Sequence, residues 1–351
     1  GKTYKITFDL NCVGSSLAKF SLGSSTGSTT QVIGTSLTTG SYSYFVTAAA
    51  EYIVFNRQNT AEYYVNNVSV KEVTRDNVPR IDYSGCPHIL AEPQRTNLVT
   101  ESEDFSAWTS SNSTLVNSTT VVNPSGESSS GLFSVTSGSA TKFSYISVTT
   151  TSNLHSYSIF VKYSDVQFIQ LAGGGNTSYA NFDVQNGVLG NTNANSSIES
   201  FGNGWYKCIM TSTSSETFSN AAVVIIDSST STRLSSTSEV GSVYIWGGQL
   251  EVGSYATSYI PTSGSTVTRN QDIFTRDGIG SLINSTEGVL FLEIAAFVND
   301  SSSRYIGLTD GNSNNRVVIL YYSNNDRIRV LLSSGGTKYF DEYYTVTSLV
   351  D

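Results

Sequence analysis

Nowhere does this chain repeat apolar residues at i, i+3 and i+4 over a useful window; where apolar residues gather, they alternate with polar ones. Alternation with period two puts successive side chains on opposite faces of a strand, whereas a helix face needs a period of 3.6. "KTYKITFDL" (2–10) sets Ile6, Phe8 and Leu10 on one face. "HSYSIFVKY" (155–163) does the same with Tyr157, Ile159 and Val161, leaving Phe160 opposite. "AAVVIID" (221–227) is apolar on both faces, as in a central strand covered on two sides. Charged residues make up only 13% of the 351, and Ser, Thr, Asn and Gly fill the gap beside 21 Tyr and 16 Phe. That mixture is typical of half-exposed antiparallel sheet and not of a disordered tail.

The net charge of −9 argues against a phosphate-gripping surface. Neither nucleic acid nor an anionic membrane is therefore expected as a partner. No apolar run approaches the roughly 18 residues of a membrane span. Cys12, Cys86 and Cys208 are odd in number and widely spaced, so they read as free thiols and not as a disulfide framework or a zinc site. His88 and His155 are too isolated for a metal cluster.

Three strand signatures recur in the same order. "KTYKITFDL" matches "HSYSIFVKY", "GSYSYFVTAA" (40–49) matches "GNGWYKCIMT" (202–211), and "EYYVNNVSVKEV" (62–73) matches "SVYIWGGQLEVG" (242–253). The second copy is preceded by strand-like sequence from 97 to 154 that the first lacks. Residues 1–74 are therefore expected to be the C-terminal part of a sandwich, its other strands lying outside the chain or coming from another chain. Residues 99–260 are expected to form a complete sandwich. In the third region, "EGVLFLEIAAF" (287–297) places Leu290, Leu292 and Ile294 on one face. Hairpin turns are expected at Asp310-Gly311, Asn324-Asn325 and Gly335-Gly336. Arg327 and Arg329 face one way there, and Ile328, Val330 and Leu332 the other. Residues 287–351 read as the N-terminal part of a further sandwich, joined by a linker at 261–286.

The connecting stretch 75–98 contains Pro79, Pro87 and Pro93, which disfavour helix. It also concentrates Arg80, Asp82, Glu92 and Arg95 in a charge-poor sequence. It reads as an ordered strap pinned by ion pairs and by burial of Ile89 and Leu90, since flexible linkers are Gly/Ser-rich.

The chemistry-bearing residues are sparse. There is no Gly-x-Ser-x-Gly elbow, no phosphate loop and no recognisable nucleophile beside either histidine, so no catalytic residue, cofactor or metal is assigned. "GGGNTS" (173–178) reads as a loop tip. Glu101, Glu103 and Asp104 are either solvated acids at a domain start or hard-oxygen ligands for calcium. Pyranose faces stack on exposed aromatic rings, and the candidates are Trp108, Trp205, Tyr206, Trp246, Tyr321 and Tyr322. Each reads first as a core or sheet-face residue, Trp108 following Phe105 as a plug at a sandwich end. They do not single out a ligand site.

The stretch "PRIDYSGCPHILAEPQRTNLVTESEDFSAWT" (79–109) resembles a segment of tailed-bacteriophage virion proteins of the tail-fibre, tail-spike and surface-appendage kind. "GGQLEVGSYATSYIPTSGSTVTRNQD" (247–272) resembles the same family, where it links a carbohydrate-binding-module-like jelly roll to a concanavalin A-like (laminin G-like) sandwich. The resemblance covers most of the chain, most strongly 79–109 and 241–320. It implies an all-β protein of tandem antiparallel jelly-roll sandwiches followed by a partial concanavalin A-like sandwich. It further implies a non-catalytic, exposed virion protein whose partners are copies of itself (a trimer in a fibre), other virion proteins and host-surface glycans. Two other readings stand beside it: a purely structural decoration protein without a ligand, and the accessory region of a secreted polysaccharide-degrading enzyme.

Overall fold

The computed structural model describes residues 3–25, 29–47, 50–58, 62–72, 80–82, 87–175, 177–284, 286–295, 303–322 and 327–346. The expectations for Pro79, Cys86, the Asn324-Asn325 turn and the end of the 287–297 strand lie outside these residues. Regular structure among the described residues is β, apart from the two 3₁₀ turns η1 (Phe105–Ala107) and η2 (Gly280–Leu282). No described helix is long and apolar enough to cross a membrane. The chain divides into two compact units, Gly1–Ala91 with Asp272–Leu282, and Glu92–Gln271 with Ile283–Asp351.

Unit 1 is a small sandwich. Its strands are β1 (Thr3–Cys12), β2 (Ala18–Gly23), β3 (Gln31–Leu37), β4 (Gly40–Thr47), β5 (Tyr52–Arg57) and β6 (Tyr63–Glu72). They form two antiparallel sheets, ordered β4-β1-β6 and β3-β2-β5. Ile6, Phe8 and Leu10 of β1 are buried with Ala18, Phe20 and Leu22 of β2, as the alternation requires. Phe8 meets Phe20 at 5.0 Å and Phe55 edge-on at 4.8 Å. A short pair, β7 (Arg80–Asp82) with β8 (His88–Leu90), follows.

Unit 2 opens with β9 (Arg95–Asn97), β10 (Thr109–Ser111), β11 (Thr114–Ser118), β12 (Ser130–Val135) and β13 (Lys142–Ser147). It continues with β14 (His155–Tyr163), β15 (Phe168–Gly174), β16 (Tyr179–Asp183), β17 (Val188–Thr192), β18 (Asn195–Ser200), β19 (Trp205–Thr211), β20 (Asn220–Ile225) and β21 (Gly241–Val252). Two six-stranded sheets result, β10-β13-β20-β15-β16-β17 and β11-β12-β21-β14-β19-β18. Tyr157, Ile159 and Val161 point into the core between the sheets with Ile169, Leu171, Val223 and Ile225. Phe160 lies on the other face, packed with Trp205 and Trp246. Strand β20 is covered on both faces, because Val224 and Ile226 join a second cluster with Ala172.

The recurrent signatures occupy equivalent places. The neighbours β4-β1-β6 recur as β19-β14-β21, and β3-β2-β5 as β16-β15-β20. Both third-signature strands bulge against their partner, β6 between Thr7 and Asp9 and β21 between Ser158 and Phe160. The residue at the bulge has positive φ in each, Asn67 at 52° and Gly247 at 65°.

The last strands are β22 (Val267–Arg269), which pairs with β9, and β23 (Ser303–Thr309), β24 (Arg316–Tyr322), β25 (Arg327–Ser334) and β26 (Thr337–Thr345), a four-stranded meander. Gly335 and Gly336 take φ of 57° and 79° in the β25–β26 turn, as a two-residue hairpin demands. Two expectations change. Residues 287–295 join no ladder among the described residues, and Val289 is 94% exposed. Alternation specifies a face, but a strand also needs a partner edge. The run at Gly173–Gly174 is the end of β15 and not a loop tip. A Cβ on Gly173 would sit 2.6 Å from Phe218, and one on Gly174 would collide with Ser219, so close backbone approach explains both glycines.

Candidate functional site

The segment 92–102 binds the sandwich at its own far end in sequence. Asn97 is fully buried and uses its whole amide: Nδ2 donates to the carbonyls of Gly248 and Ile260, and Oδ1 accepts from the N–H groups of Val99 and Leu250. The Leu98 N–H donates to Leu250 O, and the Gly248 N–H to Ser102 O, so the segment lies along the edge of β21. Three residues of β9 pair with Val267–Arg269. The ion pairs are long-range: Glu92 meets Arg269 at 3.0 Å, and Arg95 lies 3.8 Å from the fully buried Glu251. Glu251 is also held by Gln249 and by the N–H and hydroxyl of Thr257. Ordering thus comes from burial and hydrogen bonding of residues 92–102. Ile89, expected to be buried, is 56% exposed, because among the described residues β8 pairs only with the three-residue β7.

This clamp shapes one end of the unit 2 sandwich. Ser102 N donates to Thr262 Oγ1, Thr262 N donates back to Ser102 Oγ, and Thr262 Oγ1 donates to Val99 O. Beyond it the chain turns into η1, whose N-cap is Asp104. Asp104 Oδ1 accepts from Ser106 N, Ser106 Oγ and Asn117 Nδ2, while Asn117 Oδ1 accepts from Phe105 N. The turn drives Phe105 and Trp108 into the core, with rings 5.6 Å apart. Trp108 is the expected plug; its Nε1 donates to Glu101 O.

The result is an open cleft of about 540 Å³ lined by Glu101, Glu103, Asp104, Asn117, Ser118 and Thr262 together with neighbouring hydroxyls and Pro261. The three acids share this cleft but differ in state. Burial pushes the Glu103 carboxyl up, opposed by the hydrogen bond it accepts from the Tyr259 hydroxyl at 2.8 Å and by Trp246. The Asp104 carboxyl is held below its ordinary value by the hydroxyl of Ser106 and the amide of Asn117. Burial and the Glu103 charge push the Tyr259 phenol far up, so it stays protonated and donates. Its oxygen lies 2.7 Å from Ser102 Oγ. Among the described residues no three His, Cys, Asp or Glu are grouped to hold a metal ion. The acids instead serve as a helix cap, a tyrosine acceptor and a cleft wall, an arrangement suited to accepting hydrogen bonds from a hydroxyl-rich ligand.

The aromatic candidates fall elsewhere. Trp205 is buried with its Nε1 donating to Val122 O, and Trp246 packs on Phe160 and Tyr259 at 5.3 and 4.6 Å. Tyr321 is buried, Tyr322 is half-buried near Tyr343, and Tyr206 covers Gly187. His155 is buried against Phe218 with Nδ1 on Asn153 O, and burial lowers its pKa. His88 lies in unit 1. Cys12 and Cys208 are free thiols, Cys208 fully buried. Asn117, Tyr259 and Thr262 were not singled out by sequence. The signal that could have found Tyr259 and Thr262 is "SYIPT" (258–262), which lies inside the second stretch of resemblance, whereas Asn117 carries no such signal.

No family model matches the chain, and no curated protein matches it. Among solved structures it is similar to the enzymatically active domain of tailspike protein 4 of bacteriophage CBA120, at 16% identity and a TM-score of 0.26, over 44% of this chain and 21% of that one. It is also similar to the N-terminal CBM22 tandem domain of Xyn10C from Paenibacillus barcinonensis, at 10% identity and a TM-score of 0.29, over 72% of this chain and 79% of that one. The chain thus spans about a fifth of the tailspike domain.

Proposed function

We propose that this chain is a non-catalytic, exposed virion protein of a tailed phage, from a tail fibre, spike or capsid appendage. In this reading its β-sandwich modules contact host-surface glycans and neighbouring copies of the protein. The virion assignment rests on the resemblance of residues 79–109 and 241–320. The observation that carries glycan contact is the cleft at the end of the unit 2 sandwich. It is open, its lining gathers three carboxylates, the Asn117 amide and several hydroxyls, and neither histidine is among the residues that line it. Sugars offer many hydroxyl donors, and a carboxylate that accepts them makes hydrogen bonds of about 1.5–3 kcal/mol each.

A glycan array of host-surface polysaccharides tests this. Binding is expected, and Glu101→Gln is expected to weaken it by roughly tenfold or more, the counterpart of losing one such bond. No binding across the array favours a purely structural protein, and release of shortened glycan overturns the non-catalytic reading.

A further inference from the structure

Strand β6 pairs with β1 alone among the described residues. The equivalent strand, β21, has its outer edge filled: β12 pairs with Gly241–Ile245, and the 97–102 segment bonds at Gly248 and Leu250. Burial follows the pairing. Leu250 is fully buried, whereas Val70, its match in the repeat, is 47% exposed, with Tyr64 and Val68 similarly open. A ten-residue edge without a partner strand among the described residues, with exposed apolar side chains, is a template for another strand.

We propose that β6 is a self-docking edge that pairs antiparallel with β6 of a second copy about a two-fold axis, joining two unit 1 sheets into one. Strand β12, which fills the equivalent edge in unit 2, is itself committed there, since Phe133 and Val135 lie in the unit 2 core. The register follows from the bulge. Before it, Tyr63 and Val65 stand opposite Cys12 and Leu10; after it, Val70 stands opposite Ile6, so the facing shifts by one residue. A self-pairing that sets the two sides of the bulge against each other puts like faces together when paired residue numbers sum to an odd number. One such register sets Tyr63 against Val70, Tyr64 against Ser69, and the exposed Glu62 against the exposed Lys71 of the second copy, twice by symmetry. Opposite charges across the pair select this register over its neighbours. An antiparallel strand pair generates a two-fold, in place of the trimer expected for a fibre. The proposal rests on the homo-oligomeric reading above and names its surface.

Light scattering across a concentration series, with hydrogen exchange on the whole chain, tests it. The chain is expected to dimerise and to protect the outward amides of β6. Lys71→Glu and Glu62→Lys each place like charges opposite and are expected to raise the dimer dissociation constant about tenfold, from two repulsive pairs. Both positions are exposed, so unit 1 stays folded, and the double variant Glu62→Lys/Lys71→Glu is expected to restore the wild-type constant. A monomer at about 100 μM, well above the micromolar range of specific association, overturns the proposal together with the homo-oligomeric reading. An oligomer indifferent to both single variants overturns this edge and leaves that reading standing. Failure of the double variant to rescue overturns the register.

Discussion

Asn97 shows how much one side chain contributes to the clamp on unit 2. It supplies two donors and two acceptor bonds in a fully buried place, to backbone groups some 150 residues away and to its own neighbour Val99. Asn97→Leu keeps the volume but leaves those backbone groups unpaired. A loss of about 3 kcal/mol or more is expected, from buried groups costing about 1–3 kcal/mol each. Urea unfolding followed by tryptophan fluorescence reads this directly, because Trp108, Trp205 and Trp246 all lie in unit 2. Glu103 gives a pH signature. Its folded pKa is raised above 4.5 by burial, so the folded chain holds this proton to higher pH than the unfolded chain. Its contribution to stability is therefore most favourable below 4.5 and declines as pH rises through the folded value. Asp104 has the opposite sign: its stabilisation is present above 3.8 and fades as pH falls through its lowered value. The stability of Glu103→Gln relative to wild type is expected to improve from acid to neutral pH. A difference that stays flat would remove burial as the cause of the Glu103 shift.

At the scale of the element, the bulges in β6 and β21 are the same device built from two residues. Asn and Gly are the types that adopt positive φ at least cost. Gly247 is also tightly placed, since a Cβ there would stand 3.1 Å from Phe160 and 3.2 Å from Tyr259. Gly247→Asn is therefore expected to be milder than Gly247→Ala, and Gly247→Val worst, with a loss of about 2 kcal/mol or more from a β-branched residue at positive φ. Equal losses for Asn and Val in thermal unfolding would mean that crowding by Phe160, and not the backbone, sets the cost. Alternation along β1 and β14 was fully legible in sequence, because it reflects which side chains share a face two residues apart. The failure at 287–295 has the same origin: a face is local information and a partner strand is not.

At the scale of the molecule, the two units differ in core size. The described core of unit 2 gathers 27 buried apolar residues, and that of unit 1 gathers 8. With each buried side chain worth about 1.5–3 kcal/mol before the entropy of ordering, unit 1 is expected to unfold first. Far-ultraviolet circular dichroism should begin its transition at a lower temperature than tryptophan fluorescence, which reports unit 2. Coincident transitions would mean that the units unfold together. The clamp also predicts protease resistance. Arg95 and Arg269 are part-buried in ion pairs, so trypsin is expected to spare both while unit 2 is folded. Early cleavage at either site, identified by mass spectrometry, would show that the segment is a loose tether.

The sequence by itself determined that the chain is β-sandwich, which faces of β1, β14 and β20 are buried, that Trp108 plugs a core, and that three strands recur in order. The first three depend on residues within a few positions of one another, and the recurrence on comparing such local patterns along the chain. Only the tertiary structure decided that "EPQRTNL" lies along the edge of β21, that Glu92 and Arg95 meet Arg269 and Glu251, and that Asn117, Tyr259 and Thr262 join Glu103 and Asp104 at one cleft. These contacts span more than 150 residues in most cases. They arise because closing the sandwich brings the two ends of the 92–271 segment together, and charge or hydroxyl content along the chain carries no record of which distant partner that closure supplies.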